Sequence, residues 1–226
     1  EILPQPSRDA GSIDLMNKIV YLTNKGYSVQ FLPTVEKLSY KIIKKSQAKN
    51  LLKLGVKILC RPKVTSVEMF LKKKGFMFDL VIIDRYPVAK KYFNLCRKYC
   101  QNAKIWFHTV CLFFLMNESL AQWEEKGLLR QRHPFAIFNI KRIKKKFKRY
   151  ISKKRELKFC SLSDVTTVVS HAEKEYLKKY DINSYVLTLA LKNKTTKKKF
   201  EARKDIVFIG TMFHPPNKLA MTYFAK

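Results

Sequence analysis

The stretch that decides the fold is FDLVIID, residues 78–84. Apart from its two aspartates it is apolar, and polar and apolar side chains do not alternate along it. A run of this kind is typical of a strand that helices cover on both faces, as in a parallel sheet. The sequence therefore predicts a buried parallel strand at 78–84.

The segments around this strand alternate between helical and strand-like patterns. Helices are predicted at 12–25, 35–54, from 65 onward, 87–101 and 171–180, and strands at 27–31, 56–60, 103–107, 164–169 and 184–191. Short polar turns between alternating strands and helices indicate an α/β, Rossmann-like, doubly wound parallel sheet. Because residues 5–11 look like a loop that leaves a strand, we expect the first strand before Glu1, in a chain truncated at its amino end.

The domain organisation follows from a change in composition near the carboxyl end. Residues 1–190 are predicted to form the Rossmann-like domain. The segment 191–204, LKNKTTKKKFEARK, has no strong period and is interpreted as an exposed basic linker. Residues 205–226 are predicted to open a second domain, with a strand at 205–210 and a helix at 214–226.

The composition favours a cytosolic protein with an anionic partner. Forty-seven Lys and Arg against 17 Asp and Glu leave a net charge of +30, which suits nucleic acid, lipid headgroups or phosphorylated small molecules. The five cysteines lack zinc-ligand spacing, and we interpret them as reduced thiols. The longest apolar run, 105–116, is interrupted by a histidine and is shorter than the ~20 residues that span a bilayer.

A basic amphipathic helix is predicted at 141–158, which contains eleven basic residues and one acid. Ile143, Phe147, Tyr150 and Ile151 fall on one side of it. Three interpretations remain open: an outer helix that lays this stripe on the core, contact with an anionic membrane surface, and contact with nucleic acid. In the membrane interpretation the headgroups would contact Lys144, Lys145, Lys148 and Arg149.

Candidate site residues follow from the rule that ligands bind at the carboxyl ends of parallel strands. The positions at these ends are Arg8 to Ser12, Asp84 and Arg85, His108 and Thr109, and Ser170. Gly11 and Ser12 begin a helix, where backbone N–H groups favour an anion; the alternative is that Ser12 is only an N-cap.

His108 ends an apolar strand, so its ring is expected to point into the crevice and donate to a sugar or phosphate oxygen. The alternative is a half-buried histidine whose hydrogen bonds are satisfied within the protein. Ser170 and Glu173 have the spacing of a capping box. Neither a dinucleotide-binding fingerprint, a Walker A loop nor the G-x-S-x-G elbow of hydrolases is present.

Several segments, taken in order, resemble the retaining, family-four-like glycosyltransferases of the GT-B fold. They are LPQPSRDAGS, GYSVQFLP, FDLVIIDRYPVAKKY, RKYCQNAKIWFHTV, RELKFCSLSDVTTVVSHAEKEYL and RKDIVFIGTMFHPPNKLAMTYF, and they run from about residue 2 to the end. The resemblance implies the amino-terminal, acceptor-side half of an enzyme that moves a sugar from a nucleotide-sugar donor to a glycan or lipid-linked acceptor in surface polysaccharide synthesis.

The resemblance also implies roles for particular residues. Gly11 and Ser12, with Gly210 and Thr211 of the donor domain, would approach the donor diphosphate, and His108 would contact the donor sugar. Neither a metal nor a resident cofactor is implied. The enzyme would work in the cytoplasm, peripherally on the inner face of the membrane.

The sequence departs from this family in two respects. Close relatives have Asp-Thr-Val-Asp-Leu-His where this chain has His-Thr-Val-Cys-Leu-Phe at 108–113, and the chain ends before the donor domain's carboxylate pair. We therefore expect this chain alone to be inactive. The rival functions are a basic α/β domain that binds nucleic acid, which no recognised motif supports, and an inactive interaction domain.

Overall fold

The computed structural model describes residues 3–7, 9–33, 45–125, 138–191, 199–210, 212 and 215–225. Helices and strands alternate through most of these ranges. The helices are α1 (Ala10–Asn24), α2 (Lys45–Lys53), α3 (Val67–Lys74), α4 (Tyr86–Tyr99), α5 (Phe113–Glu125), α6 (Phe138–Leu162), α7 (His171–Lys178) and α8 (Pro215–Phe224). The strands are β1 (Gln30–Phe31), β2 (Lys57–Ile58), β3 (Leu80–Asp84), β4 (Lys104–His108), β5 (Val165–Val168) and β6 (Tyr185–Val186).

All strand pairs among the described residues are parallel, which confirms the predicted α/β class. β1 pairs with β2, and a separate four-stranded sheet has the order β3-β4-β5-β6. In that sheet Asp84 lies beside His108, and His108 lies beside Thr167. The carboxyl ends of β3, β4 and β5 therefore meet at one edge, where the sequence places its candidate site residues.

Helix α1 packs on the small sheet through its apolar side chains. Ile19 is buried in one cluster with residues of α2, β2 and their flanking loops, and Leu15 and Met16 contact that cluster. On the four-stranded sheet, Phe93 of α4 stacks on Phe159 of α6 with ring centroids 4.8 Å apart. These contacts pack α1 against the cluster around the small sheet and join α4 to the carboxyl-terminal half of α6.

Several predicted boundaries differ from the structure. The helix predicted from residue 65 onward begins at Val67, and its N-cap is Ser66, whose hydroxyl accepts from the N–H of Met69 at 3.4 Å. The helix predicted at 35–54 is described only from Lys45, because residues 34–44 lie outside the described ranges. The strand predicted at 184–191 is only two residues long: Tyr185 and Val186 pair with β5, and the N–H of Leu187 then donates to the carbonyl oxygen of Val168 at 2.8 Å.

The strand predicted at 205–210 is wrong. These residues are irregular and exposed, and Ile209 is 93% accessible. A strand requires backbone hydrogen bonds to a neighbouring strand, and no described strand pairs with this segment. The helix predicted after it is confirmed as α8.

The chain divides into two units. One contains Glu1–Phe113 and Ile151–Ala190, and the other contains Phe114–Tyr150 and Leu191–Lys226. Residues 114–150, which the sequence prediction includes in the first domain, belong to the second unit. The first unit contains both sheets and the candidate site described next.

Candidate functional site

The loops after β3 and β4 lie side by side at the carboxyl edge of the sheet. The N–H of Arg85 donates to the carbonyl oxygen of His108 at 2.8 Å, which ties the two loops together. Helix α1 reaches the same edge through Asp14 and Lys18. The structure thus brings together several predicted site residues that are far apart in sequence.

Lys18 connects α1 to β3. Its ammonium lies 2.8 Å from the carboxylate of Asp14 and 2.7 Å from that of Asp84, and the lysine is only 7% exposed. Burial alone would raise the pKa of Asp14, but the hydrogen bonds and charges of His108 and Lys18 outweigh it and lower this pKa to about 2. Asp14 is therefore a carboxylate at neutral pH, held between two donors.

His108 is only 1% exposed, and both of its ring nitrogens have partners. Nε2 lies 3.1 Å from the carboxylate of Asp14, and Nδ1 lies 2.7 Å from the hydroxyl of Thr167. Because Asp14 can only accept, Nε2 carries a proton in this arrangement. The Thr167 hydroxyl also accepts from the indole N–H of Trp106 at 2.7 Å.

The start of α1 differs in detail from the prediction. Its N-cap is Asp9 rather than Ser12: the Asp9 carboxylate accepts from the N–H of Ser12 at 2.8 Å and from its hydroxyl at 2.9 Å. The N–H groups of Ala10 and Gly11, in the first turn, have no partner within the helix. A Cβ at Gly11 would overlap the guanidinium of Arg85, so glycine permits the close approach of this cation.

Backbone strain marks both loops of the site. Arg85 has φ 73° and ψ 147°, a region that is almost confined to glycine, and Val110 has φ 61° although it is β-branched. Strained residues persist only where surrounding contacts hold them, and they cluster at functional sites. Arg85 lies directly after β3, and Val110 lies two positions after the end of β4.

Thr109 and Ser170 have structural roles in the described state. The hydroxyl of Thr109 donates to the carbonyl oxygen of Thr167 at 3.3 Å. The hydroxyl of Ser170 accepts from the N–H of Glu173 at 3.2 Å, which confirms the predicted cap of α7, while the Glu173 carboxylate accepts from the N–H of Val169.

Two carboxylates hold the beginning of α5, a helix the sequence analysis did not identify. Glu173 accepts from the N–H of Leu112 and Glu156 accepts from the N–H of Phe113, both at 2.9 Å. Glu156 is the single acid of the predicted basic helix and is fully buried. Acceptors at this end satisfy N–H groups that have no partner inside the helix.

The other predicted residues lie outside the described residues, in the second unit, or on α6. Arg8 and Thr211, and the side chains of Lys144 and Lys145, lie outside the described residues. Gly210 belongs to the other unit. On α6, Lys148 is exposed and Arg149 is half-buried.

The described side chains of the predicted apolar stripe of α6 are exposed. Phe147, Tyr150 and Ile151 are 62%, 55% and 37% exposed. The same helix buries Phe159 and Cys160, which lie on its opposite side. Within the first unit, Ile151 therefore lies on the side of α6 that faces away from the core.

Sequence reasoning missed Asp14, Lys18 and Thr167. Asp14 and Lys18 have the i, i+4 spacing of a helical ion pair, but that spacing ordinarily indicates a solvated surface pair. Thr167 lies in a strand with Thr166, where β-branched residues are expected in any case. Their common location becomes evident only from the strand register.

In the part of the chain that the structure describes, no three His, Cys, Asp or Glu side chains are grouped as metal ligands.

All five cysteines are free thiols, as predicted. Burial raises the pKa of the Cys111 thiol, and the charges of Glu173 and Glu156 raise it further. Cys111 is therefore a weak nucleophile at neutral pH.

No protein-family model, curated protein or solved structure matches this chain. Within the described ranges, helices are too short or too polar to cross a membrane.

Proposed function

We propose that this chain is the acceptor-side half of a GT-B glycosyltransferase, which transfers a sugar from a nucleotide-sugar donor to a glycan or lipid-linked acceptor. One observation carries the proposal: the guanidinium of Arg85 lies against Gly11 in the first turn of α1, at the carboxyl edge of a parallel sheet. An arginine fork beside helix N–H groups is a suitable environment for a diphosphate. The strained backbone of Arg85 supports the assignment.

The roles within this proposal differ between residues. Arg85 and Gly11 would contact the donor diphosphate, and Ser12 would contribute less because Asp9 already uses its N–H and hydroxyl. His108 would contact the sugar only by exchanging Asp14 for a sugar hydroxyl at Nε2. Gly210 and Thr211 would supply the donor domain's share of the diphosphate site, as the sequence resemblance implies.

The finer fold assignment is part of the same proposal. Among the described residues, β1 pairs only with β2, and β3 pairs only with β4 along one edge. The GT-B assignment would add a further parallel strand before α1, as the sequence resemblance implies.

Contact with an anionic membrane surface belongs to this proposal as well. It is supported by the exposed stripe of Phe147, Tyr150 and Ile151, with Lys148 beside it on the helix. Apolar side chains flanked by cations suit the boundary between headgroups and acyl chains. The enzyme would then work on the cytoplasmic face of the membrane, where lipid-linked acceptors are exposed.

A titration with nucleotide-diphosphate sugars, followed by amide NMR, tests the donor site. We expect saturable shifts at Gly11 and Arg85, and binding at least about tenfold weaker in Arg85→Ala. Lys72→Ala, on α3, removes the same charge outside the site and is the matched control. Equal losses in both variants, or equal binding of the nucleoside without phosphates, would contradict a diphosphate site.

The net charge of +30 favours one rival, a domain that binds nucleic acid through phosphate contacts. That function predicts steeply salt-dependent binding to any duplex and no response to nucleotide sugars. Filter binding of a random duplex at low and physiological salt, beside the sugar titration, separates the two. Duplex binding with no sugar-nucleotide response would favour the rival.

A further inference from the structure

A groove lies between the carboxyl-terminal half of α6 and the turn that joins α7 to β6. Its volume is about 580 Å³, and we call it the α6 groove. The apolar lining comes from Ile151, Leu157 and Ile182, and the cations beside it are Lys154, Arg155 and Lys158. This volume is within the range of roughly 300–1,000 Å³ that holds a small organic ligand.

The α6 groove is open because α6 packs on the core through its other side. Glu156, Phe159 and Cys160 are buried there, at 0%, 5% and 2% exposure. On the groove side, Ile151 is 37% exposed and Tyr180, at the opposite wall, is 43% exposed. Apolar surface thus remains in contact with water between two secondary-structure elements.

The charges around the groove are of one sign. Its lining contains three cations and no carboxylate. Arg155 and Lys158 are exposed and make no hydrogen bond or ion pair with the residues that the structure describes. A fourth cation, Lys153, lies 5.6 Å from the ring centre of Tyr180 and donates to Tyr176 at 2.8 Å.

An apolar lining and a cationic border together select the chemistry of the ligand. A small inorganic anion would gain nothing from Ile151, Leu157 and Ile182, and a neutral amphiphile would gain nothing from the three cations. Single-stranded nucleic acid is ordinarily held by exposed aromatic platforms, and this lining offers one tyrosine. A molecule with a phosphate headgroup and an acyl chain satisfies both parts.

We propose that the α6 groove binds a single anionic phospholipid, with its acyl chain on Ile151, Leu157 and Ile182 and its phosphate beside Arg155 and Lys158. This rests on the membrane contact proposed above and gives it a defined site. Ile151 also continues the exposed stripe of α6, four residues after Phe147. A lipid taken into the groove would hold α6 along the membrane surface.

Short-chain lipids below their micelle concentration test the groove without requiring a membrane. We expect dihexanoylphosphatidylglycerol to give saturable methyl NMR shifts at Ile151, Leu157 and Ile182. Dihexanoylphosphatidylcholine should bind at least about tenfold more weakly, because its headgroup has no net charge. Glycerol 3-phosphate should also bind at least about tenfold more weakly, because it lacks the acyl chains.

A matched pair of double variants locates the interaction. Arg155→Gln with Lys158→Gln should weaken binding of the anionic lipid about tenfold, whereas Lys72→Gln with Lys73→Gln, on α3, should leave it unchanged. Equal losses of lipid affinity in both pairs would overturn the proposal, as would equally tight binding of the choline lipid or of glycerol 3-phosphate. It would also be overturned by an oligonucleotide that shifts the methyl signals of Ile151, Leu157 and Ile182 when the anionic lipid does not.

Vesicle flotation separates failure of this groove from failure of the proposals on which it rests. If the short-chain lipid does not bind but the protein floats on anionic vesicles, the membrane contact holds and the groove does not. The nucleotide-sugar titration is independent of both measurements, because its residues lie on α1, β3 and the adjoining loops.

Discussion

At the residue scale, Asp14 links helix α1 to strand β4, because its carboxylate contacts both Lys18 and the Nε2 of His108. Its depressed pKa means that the folded state favours its charged form, so it contributes stability above its unfolded pKa of 3.8 and loses it as the pH falls through about 2. The difference corresponds to about 2 kcal/mol at neutral pH. We expect Asp14→Asn to lower the free energy of unfolding by about this amount at pH 7, measured by urea denaturation.

The pH dependence distinguishes this effect from a simple loss of packing. At pH 3 the contribution of Asp14 falls to about half, so the wild type and Asp14→Asn should differ correspondingly less. Glu175→Gln, which removes an exposed carboxylate on α7, is the control and should change stability little at either pH. A deficit in Asp14→Asn that is the same at pH 7 and pH 3 would show that its charge is not responsible.

Val110 provides a second prediction at this scale. Its φ of 61° strains a β-branched residue, and glycine adopts this conformation without a steric penalty. We expect Val110→Gly to raise the free energy of unfolding by about 1 kcal/mol, despite the greater entropy of its unfolded chain. The control is Val207→Gly, at an exposed position in the irregular segment 205–210, which should not raise the free energy of unfolding. If both variants lose stability equally, Val110 is not strained.

At the element scale, the start of α5 depends on a carboxylate from α6. Glu156→Ala would leave the N–H of Phe113 without its acceptor in a buried environment, at a cost of about 2 kcal/mol. Glu156→Gln retains an acceptor oxygen and should lose clearly less. Thermal unfolding of the two variants checks this order, and equal losses would mean that the charge, rather than the hydrogen bond, is what Glu156 supplies.

The exposed stripe of α6 makes a prediction of its own. Phe147→Ser with Tyr150→Ser should reduce flotation on phosphatidylglycerol vesicles by about tenfold or more, because two apolar side chains are lost from the contact. The control is Phe200→Ser with Tyr223→Ser, which removes a Phe and a Tyr that are 79% and 77% exposed outside α6. This control should not reduce flotation. Equal flotation on neutral and anionic vesicles would refute an electrostatic anchor.

The elements that sequence patterns predicted well are those whose periodicity is strong. The apolar run at β3, the helix at α4 and the cap at Ser170 depend on local chemistry, and the structure confirms them. The segment 205–210 has an equally apolar pattern, but a strand also requires a neighbouring strand, which no local pattern supplies. The start of α5 depends on Glu156, 43 residues away in sequence, and was missed for the same reason.

At the scale of the whole molecule, topology explains how far the site could be predicted. The rule about carboxyl ends of strands correctly brought Asp84, Arg85 and His108 to one edge, because a parallel sheet fixes that edge. It could not place Asp14 and Lys18, because the position of α1 over the sheet depends on packing between distant segments. The ring of His108 is consequently buried among its partners rather than open to the crevice.

The measurement that tests the central claim most directly is sugar transfer by an enzyme that contains this chain. A labelled nucleotide sugar, supplied with membranes as the source of acceptor, should yield labelled glycan or lipid. Arg85→Ala should lower this yield by about 100-fold, Arg85→Lys should lower it less, and Lys72→Ala should leave it unchanged. Transfer that is undiminished in Arg85→Ala, or the absence of transfer from every nucleotide sugar, would contradict the assignment.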